Sequence, residues 1–129
     1  IKSGKLKELV KNNRLIIDGS HNEDGARVLN EFLKTLKCNK HIILGMMANK
    51  DHKKYISYFE DISSLTTIDI PGQPNSISGK KLKEKFKNIG NVQYKKSIGQ
   101  AIESIPLKEN DLVVITGSLY LAGEMLNLN

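Results

Sequence analysis

Short apolar runs alternate with stretches of helical period along this chain, and few folds accept that alternation. Strands that are apolar on both faces must be covered on both sides, which is how helices flanking a mostly parallel sheet read in sequence. Leu15-Ile16-Ile17 is the first such run, followed by Leu29, Phe32, Leu33 and Leu36 at helical spacing. His41 to Gly45 is the next strand, and a polar loop through Asp51 leads to a helix over Tyr55 to Ile62. Thr66 to Ile70 reads as a third strand, stopped by Pro71-Gly72-Gln73-Pro74. Ser78 then caps a helix carrying Leu82 and Phe86. Asn91 to Tyr94 is a fourth, weaker strand; Ser97 caps a helix with Ile98, Ala101, Ile102 and Ile105 on one face, which Pro106 ends. Leu112 to Ile115 is the last strand and runs through Thr116-Gly117-Ser118 into a helix from Leu119 to Leu126. Ile1 to Asn13 reads as a short lead-in, since Gly4 and the lysines weaken a helix there. The fold expected is an α/β, Rossmann-like three-layer sandwich.

At 129 residues and 39% hydrophobic content the chain suits one domain with its own core, spanning residues 1–129. No apolar run approaches the roughly 20 residues of a membrane span, and no secretory leader is visible, so no membrane partner and a cytoplasmic location are expected. The first residue is Ile1, which suggests a piece of a longer polypeptide. Cys38 is the single cysteine and reads as structurally neutral; His52 has no partner at metal-ligand spacing and reads as a surface residue, so no metal site is expected. The net charge of +6 raises the question of nucleic acid. The lysines are spread from Lys2 to Lys108, the densest group being Lys80, Lys81, Lys83, Lys85 and Lys87 on one helix, and there is no Trp for stacking. A solvated face is the simpler reading, and no nucleic-acid partner is expected.

Ligands of open parallel sheets bind beyond the carboxyl ends of the strands. Three such ends stand out. Asp18-Gly19-Ser20-His21-Asn22 follows the first strand: Asp18 can accept hydrogen bonds from ribose hydroxyls, and His21 and Asn22 fall at a helix amino end that favours anions. Asp18 as a turn former and Asn22 as a plain N-cap explain the same residues locally. Gly45 to His52 follows the second strand, where Lys50 can hold a carboxylate as a point charge or simply be solvated. Thr116-Gly117-Ser118 follows the last, where Ser118 and backbone amides can grip a carboxylate or merely cap a helix. Neither G-x-G-x-x-G, a P-loop nor G-x-S-x-G occurs.

Taken jointly, these segments resemble the C-terminal domain of folylpolyglutamate and dihydrofolate synthases, in the Mur ligase superfamily. Leu15 to Asn22 with Gly25-Ala26 is similar to that family's D-G-A-H-N-P-x-G/A-A signature, Gly45 to Asp51 to its G-x-x-x-[DN]-K-D segment, and Val114 to Leu121 to its V-x-G-S-x-Y/H-x-x stretch. Asn75-Ser76-Ile77-Ser78 before a helix also fits. Ser20 replaces the usual Ala, and Glu23 stands where Pro is common. The family's upstream tryptophan-proline-x-arginine-leucine segment, whose arginine helps hold ATP, is not in this sequence. The resemblance implies an ATP- and Mg2+-dependent ligase in which an N-terminal ATPase domain, absent here, supplies the P-loop and magnesium ligands. It implies that Asp18, His21 and Asn22 lie at the nucleotide, with His21 also catalytic, and that Lys50 and Ser118 hold the carboxylate of incoming L-glutamate. The acceptor would be dihydropteroate or folate, activated as an acyl phosphate. The domain would pack on its own ATPase domain in a monomer, and alone would be inactive. A Mur-type ligase adding another amino acid, or a stand-alone nucleotide-binding or interaction module, is the alternative. All of this requires Asp18, His21, Lys50 and Ser118 to face one cleft.

Overall fold

The computed structural model describes residues 4–127. Five strands, β1 (Leu15–Ile17), β2 (Lys40–Leu44), β3 (Ser64–Thr67), β4 (Val92–Tyr94) and β5 (Leu112–Thr116), form one parallel sheet in the order β1-β5-β2-β3-β4. The helices are α1 (Gly4–Lys11), α2 (Glu23–Lys34), α3 (His52–Ser57), α4 (Gly79–Glu84), α5 (Ile98–Ser104) and α6 (Leu119–Asn127). The α/β sandwich expected from the alternation is the one observed.

Side chains alternate across the sheet and feed two cores. Ile42, Leu44, Leu112 and Val114 face α2, α3 and α4 through Leu29, Leu33, Tyr55, Ile56 and Leu82. Ile43, Val113 and Ile115 face the opposite layer, where Leu6, Leu9, Ile98, Ile102, Leu121 and Met125 supply α1, α5 and α6. The central strands β2 and β5 are buried along their whole length, which is why they read as unbroken apolar runs.

This layering positions the site. The chain leaving β1 and β2 goes to helices on the first face, while the chain leaving β5, which lies between them, goes to α6 on the second. Connections that part on either side of one strand open a crevice at its carboxyl end.

Three sequence expectations shift. The segment expected to be a lead-in forms α1 from Gly4 onward, because Leu6 and Leu9 bury against α5's layer; residues 1–3 lie outside the described residues. The third strand lies at Ser64–Thr67 and not at Thr66 to Ile70: Ile68 still donates its N–H to Leu44, after which the chain leaves the ladder. The third helix runs from His52 to Ser57, with the Asp51 carboxylate accepting from the Lys54 N–H.

Candidate functional site

The β1 tip is folded by its own polar groups. Asp18 extends the ladder through its N–H to the Ile115 carbonyl (2.9 Å), and its Oδ1 accepts the Ser20 N–H at 2.7 Å, a tight local turn. The Ser20 carbonyl then accepts from the Gly117 N–H (3.1 Å) and from the Tyr55 hydroxyl (3.1 Å). Tyr55 also meets the Thr116 hydroxyl at 2.7 Å. With its one proton given to Ser20, Tyr55 accepts from Thr116, so a single phenol ties α3 to the tips of both β1 and β5. Burial pushes this phenol far above its ordinary range, the Thr116 hydrogen bond pulls it down, and the charge of Asp18 adds to the rise. Tyr55 is therefore a fixed donor and no base.

The β5 tip depends on Gly117. Its φ is +110°, and an added Cβ would stand 2.4 Å from the Gly45 carbonyl oxygen. Glycine alone lets the β5–α6 turn lie against the β2 tip. Ser118 follows, buried, with its Oγ accepting the Tyr120 N–H at 3.1 Å. The β2 tip is pinned from the other side: the Ala48 N–H donates to Asn75 (2.8 Å) and the Ile77 N–H to Met46 (3.0 Å), forming one antiparallel bridge between Met47 and Ser76. His52 closes the same loop, its Nε2 lying 2.9 Å from the Met47 carbonyl. It is only 4% exposed, so the expectation of a surface histidine is corrected: the ring anchors the loop that carries Lys50.

Between these three tips lies an open cavity of about 770 Å³, within the roughly 300–1,000 Å³ of small-molecule sites. His21, Lys50 and Ser118 line it together, with Pro74 and Asn75 as a further wall and Leu119 and Tyr120 at the rim. No carboxylate is among its walls. Two helix amino ends are nearby, and they differ. The first turn of α2 carries Glu23 and Asp24, which already offset its dipole, whereas α6 has no acid in its first turn. The α6 end and the Lys50 ammonium therefore make this an anion-accepting cavity. The Nδ1 of His21 is shielded and has no hydrogen-bond partner among the described residues.

Asp18 is not in that cavity. It lines a separate hollow of about 450 Å³ with Ser20 and Asp24 and the apolar Ile16, Val28, Leu29 and Phe32. The expected single cleft is thus not formed: Asp18 lies in a second hollow along β1 and α2 that shares no lining residue with the cavity of His21, Lys50 and Ser118. Asn22 accepts the Gly25 N–H at 3.0 Å as the N-cap of α2 and lines neither. Tyr55 and Gly117 were not singled out from sequence. The glycine could have been, because Thr-Gly-Ser joins a strand directly to a helix and demands a tight turn.

Among the described residues no three His, Cys, Asp or Glu side chains are placed to hold a metal ion, and no helix is long and apolar enough to cross a membrane. The chain is 27% identical over 110 residues to a folylpolyglutamate synthase of Lacticaseibacillus casei, covering 84% of this chain and 25% of the relative. It is 26% identical over 126 residues to a dihydrofolate synthase/folylpolyglutamate synthase of Bacillus subtilis, covering 95% of this chain and 29% of the relative. It thus spans about a quarter of the length of the curated relatives it matches. Its fold is that of part of Mycobacterium tuberculosis folylpolyglutamate synthase, solved in complex with ADP and AMPPCP, at a TM-score of 0.78 and 21% identity over 88% of this chain and 29% of that one. Residues 6–119 match the family described as Mur ligase, glutamate ligase domain, and with that match covering most of its length the chain belongs to this family.

Proposed function

We propose that this domain binds the incoming amino acid in an ATP-dependent amide ligase that adds L-glutamate to dihydropteroate, to folate, or to both. The observation that carries the reading is the cavity shared by Lys50, Ser118 and His21 at the acid-free amino end of α6. A zwitterionic amino acid with an extra carboxylate needs a cation and oriented amides for its negative groups, and a wall without competing acids. Lys50 and the α6 amides meet the first need, and the cavity lining meets the second.

The ligation proceeds through an acyl phosphate. The γ-phosphoryl group of ATP passes to the acceptor's carboxylate, the glutamate nitrogen attacks the acyl carbon, and phosphate leaves with the electron pair of the broken C–O bond. The attacking amine must shed a proton, and the imidazole of His21, part of the cavity wall, is the group to receive or relay it. Asp18 serves the nucleotide: its hollow joins a carboxylate for ribose hydroxyls to apolar side chains that suit a flat base. Asn22 shapes this edge as the cap of α2 and stands beside the nucleotide. Relatives that bind ADP and an ATP analogue support the nucleotide role.

The residues here do not fit a magnesium ion or a triphosphate, since no acidic cluster is found among the described residues and the sequence holds no P-loop. Those groups belong to an ATPase domain in the whole protein, on which this domain packs, in a cytoplasmic monomer. The division of labour suits a reaction that depends on positioning and charge neutralisation.

In the full-length protein, Lys50→Ala is expected to raise the KM for L-glutamate about tenfold or more and leave that for ATP within about twofold, as loss of a charge-assisted contact implies. An unchanged glutamate KM would remove Lys50 from the site. A preference for another amino acid in the same assay would move the protein to the peptide-ligase branch.

A further inference from the structure

The chain's positive charge is not evenly spread. Residues 71–98 hold seven lysines and one acid, Glu84, a surplus equal to the net +6 of the whole chain, while the remainder is balanced at thirteen basic and thirteen acidic residues. Four of those lysines fall at the carboxyl edge of the sheet, because α4 begins at Gly79 and β4 ends at Tyr94: Lys80, Lys81, Lys95 and Lys96. The Lys80 ammonium stands 5.9 Å from the centre of the Tyr94 ring, which fixes that charge over the end of β4. Lys95 continues the ladder through its N–H to Thr67 at 3.0 Å. Asp69, on the chain leaving β3, accepts the Gly79 N–H and the Tyr94 hydroxyl, each at 2.7 Å.

Lys50, Lys53 and Lys54 follow β2 on the same edge, with Asp51 among them held as the N-cap of α3 by the Lys54 N–H, so cationic side chains outnumber acids from the cavity across the tips of β2, β3 and β4, strands roughly 5 Å apart. The β1 flank of that edge is acidic instead, with Asp18, Glu23 and Asp24. Lys83 and Lys87 are excluded from this row: they lie near Val92, at the start of β4, and Lys87 pairs with Glu84 at 3.4 Å.

We infer that this lysine row is a track for the glutamates already added to a growing γ-glutamyl chain, a reading that rests on the ligase function proposed above. A γ-linked oligomer presents one free α-carboxylate per unit along a flexible backbone, with no flat ring to stack. Ammonium groups on long stems match such a repeated, adaptable anion as point charges. A nucleic acid would call for exposed aromatic platforms, and the one aromatic ring in the row, Tyr94, has Lys80 over its face. Each exposed ion pair contributes little, so the track acts by repetition and its effect grows with the number of glutamates.

The test uses the full-length protein carrying K80Q, K81Q, K95Q and K96Q together. Its KM is measured for acceptors bearing one, three and five γ-linked glutamates, and its binding of free synthetic γ-pentaglutamate is measured by calorimetry at low and high salt. The KM is expected to rise about tenfold for the five-unit acceptor and to stay within about twofold for the one-unit acceptor, with pentaglutamate binding salt-sensitive in the parent and lost in the variant. An equal change at every length, or a parent that does not bind pentaglutamate, overturns the track even if ligation is normal. A protein that ligates nothing, yet binds pentaglutamate through these lysines, overturns the ligase reading and with it the growing-chain role, leaving the row as a polyglutamate-binding surface only. Binding of an RNA oligomer through the same lysines, without pentaglutamate binding, assigns the row to nucleic acid and overturns it.

Discussion

At the amino edge of the sheet both ring nitrogens of His41 are engaged: Nε2 lies 3.1 Å from Asp111 and Nδ1 lies 2.7 Å from the Ser64 hydroxyl. At the carboxyl edge His21, which lines the open cavity, has a buried Nδ1 with no partner among the described residues. The amino edge has the residue types of a hydrolytic triad, Ser, His and Asp, yet each is nearly fully buried and none lines the carboxyl-edge cavity or the Asp18 hollow. Its hydrogen bonds lock β2, β3 and β5 together, with Arg14 adding its guanidinium to the Asp111 and Lys108 carbonyls. The amino-edge ring is fully satisfied and holds structure, whereas His21 Nδ1, like the Nδ1 of the loop-anchoring His52, has no partner among the described residues; what sets His21 apart is its place in the cavity wall.

The largest effect is expected where the amino edge is broken. His41→Leu takes one of three donors from a buried carboxylate and leaves the buried Ser64 hydroxyl without its partner, and should cost about 3–5 kcal/mol, read as a lowered urea midpoint. Acid sharpens the same point. Burial would raise the Asp111 carboxyl, but hydrogen bonds from the Lys108 N–H, His41 and Asn39, with the charge of His41, outweigh it and hold the group below the ordinary carboxylate range. A depressed folded value means that the contribution is present above the unfolded carboxylate value of about 4 and is lost as pH falls through the lower folded one. Asp111→Asn should therefore flatten the acid limb of the stability curve. An unchanged limb would show that the amino edge does not act as this network implies.

Next comes Gly117→Ala, which strains a left-handed residue and drives a Cβ into the Gly45 carbonyl. A loss of about 3 kcal/mol is expected, together with displacement of Ser118 and weaker amino-acid binding. Full stability with intact binding would mean that the β5 tip is free to move and that the cavity is not preformed. The smallest effect should come from Asn22→Ala: loss of the cap bond to Gly25 should cost about 1 kcal/mol. A much larger fall in nucleotide affinity than in stability would bring Asn22 into the ligand site.

The strands β2 and β5 were legible because parallel central strands are apolar on both faces, and β1, at the sheet edge, because Ile16 packs into one core and Leu15 and Ile17 into the other; so were the loops that end them. β3 was misplaced because its ladder starts with Ser64, a polar residue justified only by the distant His41, while Ile68 and Ile70 are buried outside the strand. His52 looked exposed because a local pattern does not reveal a carbonyl folding back from Met47. Three of the four side chains expected in one cleft share it, and Asp18 stands in a separate hollow. The angle at which the β1 tip turns at Ser20 decides that, and it is set by Tyr55 and Gly117, residues 35 and 97 positions away. The lysines looked scattered for a related reason: only the strand order shows which of them end on the same edge.

The most direct test of the carboxyl-edge cavity is to add L-glutamate, with a non-hydrolysable ATP analogue, to the protein and follow backbone amide shifts by NMR. Shifts at His21, Lys50, Ser118 and Leu119, with His41, Ser64 and Asp111 unmoved, are the predicted result. Glutamate-dependent shifts confined to the amino edge, or absent from the cavity while glutamate binds elsewhere on the chain, would contradict it.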